Sequence, residues 1–153
     1  MRIGYVLAAV LVACLLAVAT LFYRTNHDEM LRGTFGGVSL RIDVASTTAE
    51  RELGLGGRTA IPNDYGMLFI FDRPDTYGFW MKDMQVPIDI FWLDGNGQVV
   101  SKKEHVSPDT YPDVFYPTAP ATSVLETRAG FGEAHDIATG TPLLLQKSLI
   151  VSQ

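Results

Sequence analysis

The chain is predicted to be mainly β (α+β, with two short helices). It reads as one small sandwich or barrel-like curved sheet of about seven strands, preceded by an N-terminal transmembrane or signal helix. Three observations predict this. Short apolar runs of strand length recur at residues 38–45, 67–71, 86–93 and 142–151. Asp94-Gly95-Asn96-Gly97 is a strong hairpin signal between two such segments. Neither a repeat nor a second domain interrupts the series.

Residues 3–23 are apolar or small throughout, between Arg2 and Arg24, which is long enough to span a bilayer as a helix. A transmembrane anchor is the first expectation and a signal peptide cleaved after Ala17-Val18-Ala19 the second. Cys14, after Leu11-Val12-Ala13, only faintly resembles a lipoprotein box, because the chain stays apolar beyond it. Positive charges stand on both sides of the segment, so they do not set its orientation. The tail before it is so short that the large C-terminal part is expected to be translocated. The expected location is therefore a domain anchored outside the cytoplasm, with secretion after cleavage near Ala19 as the alternative.

The whole chain carries a net charge of −5, and the part after residue 23 is one unit more acidic because Arg2 is excluded. No basic stripe appears, which argues against nucleic acid as a partner. The single cysteine lies in the apolar segment, so the domain has neither disulfides nor thiol chemistry. Core packing alone must hold it, which is feasible for a domain of about 115 residues.

Residues 24–37, polar and glycine-containing, are expected as a linker. From Val38 to Ala45, apolar Val38, Leu40, Ile42 and Val44 alternate with polar partners, the pattern of a half-buried strand. Thr47-Thr48-Ala49-Glu50 has the capping-box form, so a short helix should run to Leu53 and stop at Gly54. Gly54, Gly56 and Gly57 open a turn-rich connection toward Pro62. Residues 67–71 are expected as a strand buried on both faces, 72–75 as a turn, and 77–82 and 86–93 as strands. The hairpin then pairs 86–93 with an exposed edge strand at 98–106. Residues 107–122, with four prolines, Tyr111, Phe115 and Tyr116, form a long loop of the kind used as a lid. A strand at 123–128, a short helix at 131–137 and a last strand at 142–151 complete the domain.

Signatures of the common enzymes are missing: there is neither a nucleophile elbow nor a phosphate loop nor a zinc helix. His27, His105 and His135 lack ligand-like neighbours, so neither metal nor cofactor is expected. Met67, Met81 and Met84 near Trp80 could suit Cu(I), but without histidine or cysteine beside them they read as fillers of an aromatic core. The central strands are more informative. Lys82 and Asp89 stand among large apolar residues, and a buried charge costs several kcal/mol unless compensated. If the strands at 77–82 and 86–93 are neighbours, Lys82 or an arginine of the glycine-rich segment would neutralise Asp89. Such a group is either a structural ion pair fixing the register or a polar pocket with an aromatic floor.

Glu50-Arg51-Glu52-Leu53-Gly54-Leu55, Arg58, Gly66-Met67-Leu68-Phe69, Phe79-Trp80-Met81-Lys82 and Pro87-Ile88-Asp89-Ile90 resemble the signature of domain-of-unknown-function family 192. Val124-Leu125-Glu126, then Ala129-Gly130 and Gly140, resemble its C-terminal pattern. The resemblance spans residues 38–145. It implies a small, mainly β domain, often behind an anchor or signal, in a family without an established activity. By resemblance, the site residues are Arg51, Arg58, Trp80, Lys82 and Asp89. Gly56 stands where a methionine is usual, and Asp83-Met84 where Asn-Thr is usual. An amide donor at 83 would thereby be replaced by an acid.

Three functions compete. The first is a membrane-anchored, extracytoplasmic binding module holding a small molecule, glycan or peptide at Trp80, Lys82 and Asp89, with Tyr111 and Tyr116 as a lid. The second is a hydrolase-type enzyme using Asp89 or Glu126 as acid or base. The third is a structural or assembly protein pairing through the edge at 98–106.

Overall fold

The computed structural model describes residues 31–146. The apolar segment at 3–23 and the end of the expected last strand, 147–151, lie outside the described residues. Among the described residues, no helix is long and apolar enough to cross a membrane.

The first strand, β1 (Leu31–Phe35), falls where a linker was expected. Gly33 hides its alternation in the sequence, and Gly36-Gly37 reads as flexible chain. Both glycines instead have positive φ, 56° and 78°, and form a two-residue turn that closes Phe35 onto Val38. The second strand, β2 (Val38–Ala45), has the expected bounds. The capping box is also present: Thr47 accepts from the Glu50 amide, and Glu50 from the Thr47 amide, at the start of α1 (Thr48–Leu53).

Beyond α1 come β3 (Tyr65–Asp75), β4 (Phe79–Trp80), β5 (Ile88–Leu93) and β6 (Val99–Val106). A 3₁₀ turn (Pro108–Thr110), β7 (Val114–Phe115), β8 (Ala121–Arg128), α2 (Phe131–Ala134) and β9 (Leu143–Gln146) follow. The expected turn at 72–75 is the end of β3, which shifts register there to pair Asp75 with Ala121. Pro74 is tolerated at this irregular end. The Asp94 turn is a hairpin as expected; its carboxylate accepts from the amides of Asn96 and Gln98, and Gly97 supplies a φ of 75°.

Seven strands form one sheet in the order β6-β5-β8-β3-β2-β1-β9. It curls until its two edges meet at one end. Gln98 bridges Pro142, the Val99 amide donates to the Thr141 carbonyl, and the Leu143 amide donates to the Gly97 carbonyl. The result is a half-barrel. Inside the curl, every strand contributes to a core containing Phe35, Ile42, Leu68, Phe91, Val99, Leu125 and Leu143, sealed by Phe131 and Ile137. The opposite face carries a second core, with Met67, Phe69, Ile90, Trp92 and Val124 under Leu55, Phe79 and Met81. Met67 and Met81 are thus packing residues of that second core.

One neighbour relation differs from expectation. The segment at 77–82 is not a strand of the main sheet. Only Phe79 and Trp80 pair, with Phe115 and Val114 of β7, in a separate two-stranded ribbon. This ribbon lies over the second core, held by Trp92, whose indole N–H donates to the Tyr77 carbonyl at 2.8 Å. Gly78 makes the approach possible, since a Cβ there would lie 2.6 Å from Val114. The long loop after β6 is therefore partly ordered as one half of this ribbon.

Candidate functional site

Side chains alternate across a strand, so the two faces of the half-barrel separate the charged residues of its central strands. Asp89 shares the inner face with Phe91 and Leu93, while Ile88, Ile90 and Trp92 point to the second core. Asp89 is fully buried. Its carboxylate accepts from the backbone amides of His105, at 2.8 Å, and Gly132, at 2.9 Å. Both donors have a structural origin. The β5–β6 pairing skips from Ile88↔Val106 to Ile90↔Lys103, so a bulge with His105 at φ 54° frees an amide from the ladder. Gly132 lies in the first turn of α2, where amides lack helical partners. Asp89 thus ties β5, the β6 bulge and α2 together.

The expected pairing of Asp89 with Lys82 is therefore corrected. Lys82 follows the ribbon on the opposite face of the sheet, and backbone amides rather than a cation compensate Asp89. Nor does Arg58 reach it. Arg58 stands 3.3 Å from Asp43, which also accepts the Tyr65 hydroxyl proton at 2.6 Å, and lies over the Tyr65 ring. Burial, then the Asp43 hydrogen bond, pushes the Tyr65 phenol well above its ordinary range. This group pins β2 to β3 and the glycine-rich connection.

Arg51, Trp80 and Lys82 do come together. They border a cavity of about 600 Å³ between α1, β3 and the ribbon. Its walls are Leu53, Leu55, Phe69, Phe71, Tyr77 and Phe79. The aromatic rings fix one another: Phe71 stacks on Tyr77, and Phe69 meets Phe79 edge-on at 4.9 Å. Arg51 donates to the carbonyls of Ser46 and Ile70 and lies over Phe71, so its guanidinium holds α1 against β3. Trp80 is 48% exposed, with Tyr111 5.9 Å away and the Lys82 ammonium 5.9 Å from its ring. Tyr111 thus lies beside Trp80 at the surface, on the segment expected as a lid.

The most buried ionisable group on the cavity lining is Glu126, which the resemblance placed in a pattern but not among the site residues. It lies on β8 opposite Met67 on one side and Ile90 on the other, on the face of the second core. It is 4% exposed, and no donor among the described residues hydrogen-bonds its carboxyl. Burial alone pushes its pKa up to about 8, so the acid is mostly neutral at physiological pH. The signal was available in the sequence. In Val124-Leu125-Glu126-Thr127, the acid takes the same face as Val124, where an apolar residue would suit a buried strand. Arg51, Glu52, Tyr77 and Lys82 are the other titratable groups on the cavity.

Asp83 does not line this cavity. It sits at φ 58°, a conformation that Asn and Asp adopt more readily than other residues, and its carbonyl accepts from the Gly57 amide. The choice between acid and amide at 83 thus meets a backbone requirement. A Cβ added at Gly56 would lie 2.9 Å from the Leu53 carbonyl oxygen and 3.5 Å from the Asp83 Cβ. Among the described residues, no group of three or more His, Cys, Asp or Glu side chains is placed to share a metal.

The sequence profile of DUF192, described as Uncharacterized ACR, COG1430, matches residues 31–145. Two solved structures are similar to this chain. One, from Sinorhizobium meliloti 1021 and provisionally described as a transcription regulator, has 25% identity and a TM-score of 0.69, covering 75% of this chain and 91% of its own. The other, a protein of unknown function from Novosphingobium aromaticivorans DSM 12444, has 27% identity and a TM-score of 0.68, covering 74% and 81%. No curated protein matches the sequence.

Proposed function

From the premise that the chain belongs to the DUF192 family, we propose that it is a binding module whose site is the cavity between α1, β3 and the β4–β7 ribbon. One observation carries the reading: the lone Glu126 carboxyl at the floor of a cavity with aromatic walls. Burial disfavours the charged form of this carboxyl, and a ligand that brings a hydrogen-bonding or charged partner into the cavity offsets part of that cost. The volume lies in the range of small-molecule sites, and exposed Trp80 with Lys82 at the rim suits recognition of a small molecule, glycan or peptide. In the same proposal, residues 3–23 anchor the protein in the membrane, with the domain outside the cytoplasm. N-terminal sequencing of the mature protein checks the anchor; a start near Thr20 would replace it by secretion.

The test of the site is a fragment screen by NMR on the full-length protein, together with mass spectrometry of whatever copurifies. Binding should shift resonances of Trp80, Phe71 and Glu126, and Trp80→Ala should remove it while the fold persists. A screen in which no compound moves these resonances would overturn the reading.

A second reading, a hydrolase with Glu126 as general acid, draws on the raised pKa, which suits proton donation near neutral pH. Turnover abolished by Glu126→Gln would favour it over simple binding. Asp89 does not serve this role, since both its oxygens hold backbone amides. Nucleic acid is a poor fit to the acidic chain, so the description of the Sinorhizobium protein is not carried over. Assembly through β6 is also disfavoured, because the strand carries Lys102, Lys103 and Glu104 and a bulge, features that blunt edges.

A further inference from the structure

We propose that the ligand enters the cavity by a protonated amine or alkylammonium group that pairs with Glu126, an inference that rests on the binding reading above. Two features of the cavity point to positive charge. The floor is a carboxyl to which no donor among the described residues bonds. The walls include the rings of Phe69, Phe71, Tyr77, Phe79 and Trp80, and aromatic rings attract cations placed against their π-faces. A neutral acceptor would therefore be served by the acid proton alone, whereas an ammonium group is served by both floor and walls.

The cations bordering the cavity do not fill this role themselves. Arg51 is directed to the carbonyls of Ser46 and Ile70. Lys82 stands beside exposed Trp80, where it suits an acceptor-bearing outer end of the same ligand. Glu52 and Tyr77 are the remaining titratable groups on the lining, and Glu52 is exposed. Binding would draw Glu126 from its neutral to its ionised form, with the proton passing to the buffer and the ligand keeping its own.

Calorimetry separates this from the alternatives. Full-length protein in a non-ionic detergent is titrated near neutral pH with phenethylammonium chloride and, separately, with its neutral analogue phenethyl alcohol. Phosphate and the zwitterionic sulfonate buffer MOPS are compared, because their ionisation heats differ and neither offers a primary ammonium group. The amine is expected to bind with release of about one proton, since a carboxyl with a pKa of about 8 starts mostly protonated. Glu126→Gln should weaken the amine by about tenfold or more and abolish the proton release. If the alcohol binds as tightly as the amine, or no proton leaves, the cavity serves a neutral acceptor and the inference falls while the binding reading stands. If neither probe binds, the inference falls, and the binding reading falls with it only when the fragment screen is silent too.

Discussion

Glu126 and Asp89 are both buried acids in central strands, but different groups surround their oxygens. Asp89 is compensated by two backbone amides; Glu126 has none among the described residues. For Glu126 the folded pKa, about 8, exceeds the ordinary value of 4.5. The folded state therefore binds more protons than the unfolded state between these values, and stability falls as pH rises through that window. Without ligand, the wild-type melting temperature should drop between about pH 5 and 8, a loss on the order of several kcal/mol. Glu126→Gln should flatten this profile, and thermal melts across the window check it. Asp89→Ala should instead destabilise the protein by roughly 3 kcal/mol or more, because two buried amides lose their acceptor. Chemical denaturation measures that loss, and a stable variant would contradict the structural role assigned to Asp89.

Among the elements, the β1–β2 turn and the β4–β7 ribbon decide how the domain closes. Gly36 and Gly37 both have positive φ, yet only Gly36 is crowded: a Cβ there would lie 2.4 Å from Ile137 and 2.9 Å from the His135 carbonyl. Gly36→Ala should therefore cost clearly more than Gly37→Ala, which meets only the backbone penalty of about 1 kcal/mol. Paired denaturation curves decide this, and equal losses would mean that the turn does not bear on the segment after α2. The helix α1 gives a second prediction. Thr47→Ala removes one half of its capping box, at a cost of about 1 kcal/mol. Since α1 forms one side of the cavity, the amides of residues 48–53 should exchange faster in this variant while those of β8 do not.

On the scale of the whole molecule, the half-barrel leaves two edges, β6 and β9, that meet at only one end. The amides of Val99, Gly140 and Leu143 all bond across this seam or beside it. Hydrogen exchange should find them protected despite their position at strand ends. Rapid exchange at all three would show that the seam opens in solution. The charges on β6 also argue that its free length does not recruit another copy. The full-length protein in detergent is expected to sediment as one species over a wide concentration range.

Local chemistry by itself determined much of this: the mainly β class, the bounds of β2, the capping box of α1 and the Asp94 hairpin. Each depends on residues adjacent in sequence, through periodicity, a side-chain cap or a turn conformation. It also supplied three of the cavity residues, Arg51, Trp80 and Lys82, through the family pattern. Tertiary structure alone decided the rest. Glycines made β1 read as linker because their conformational freedom serves a tight turn as readily as a flexible chain. Lys82 and Asp89, close in sequence, lie on opposite faces because the segment at 77–82 leaves the main sheet for a ribbon with β7. Glu126 became the floor of the cavity only when α1 and the ribbon with Phe79 covered the outer face of the sheet. Burial depends on the whole fold, and so does the pKa that burial sets.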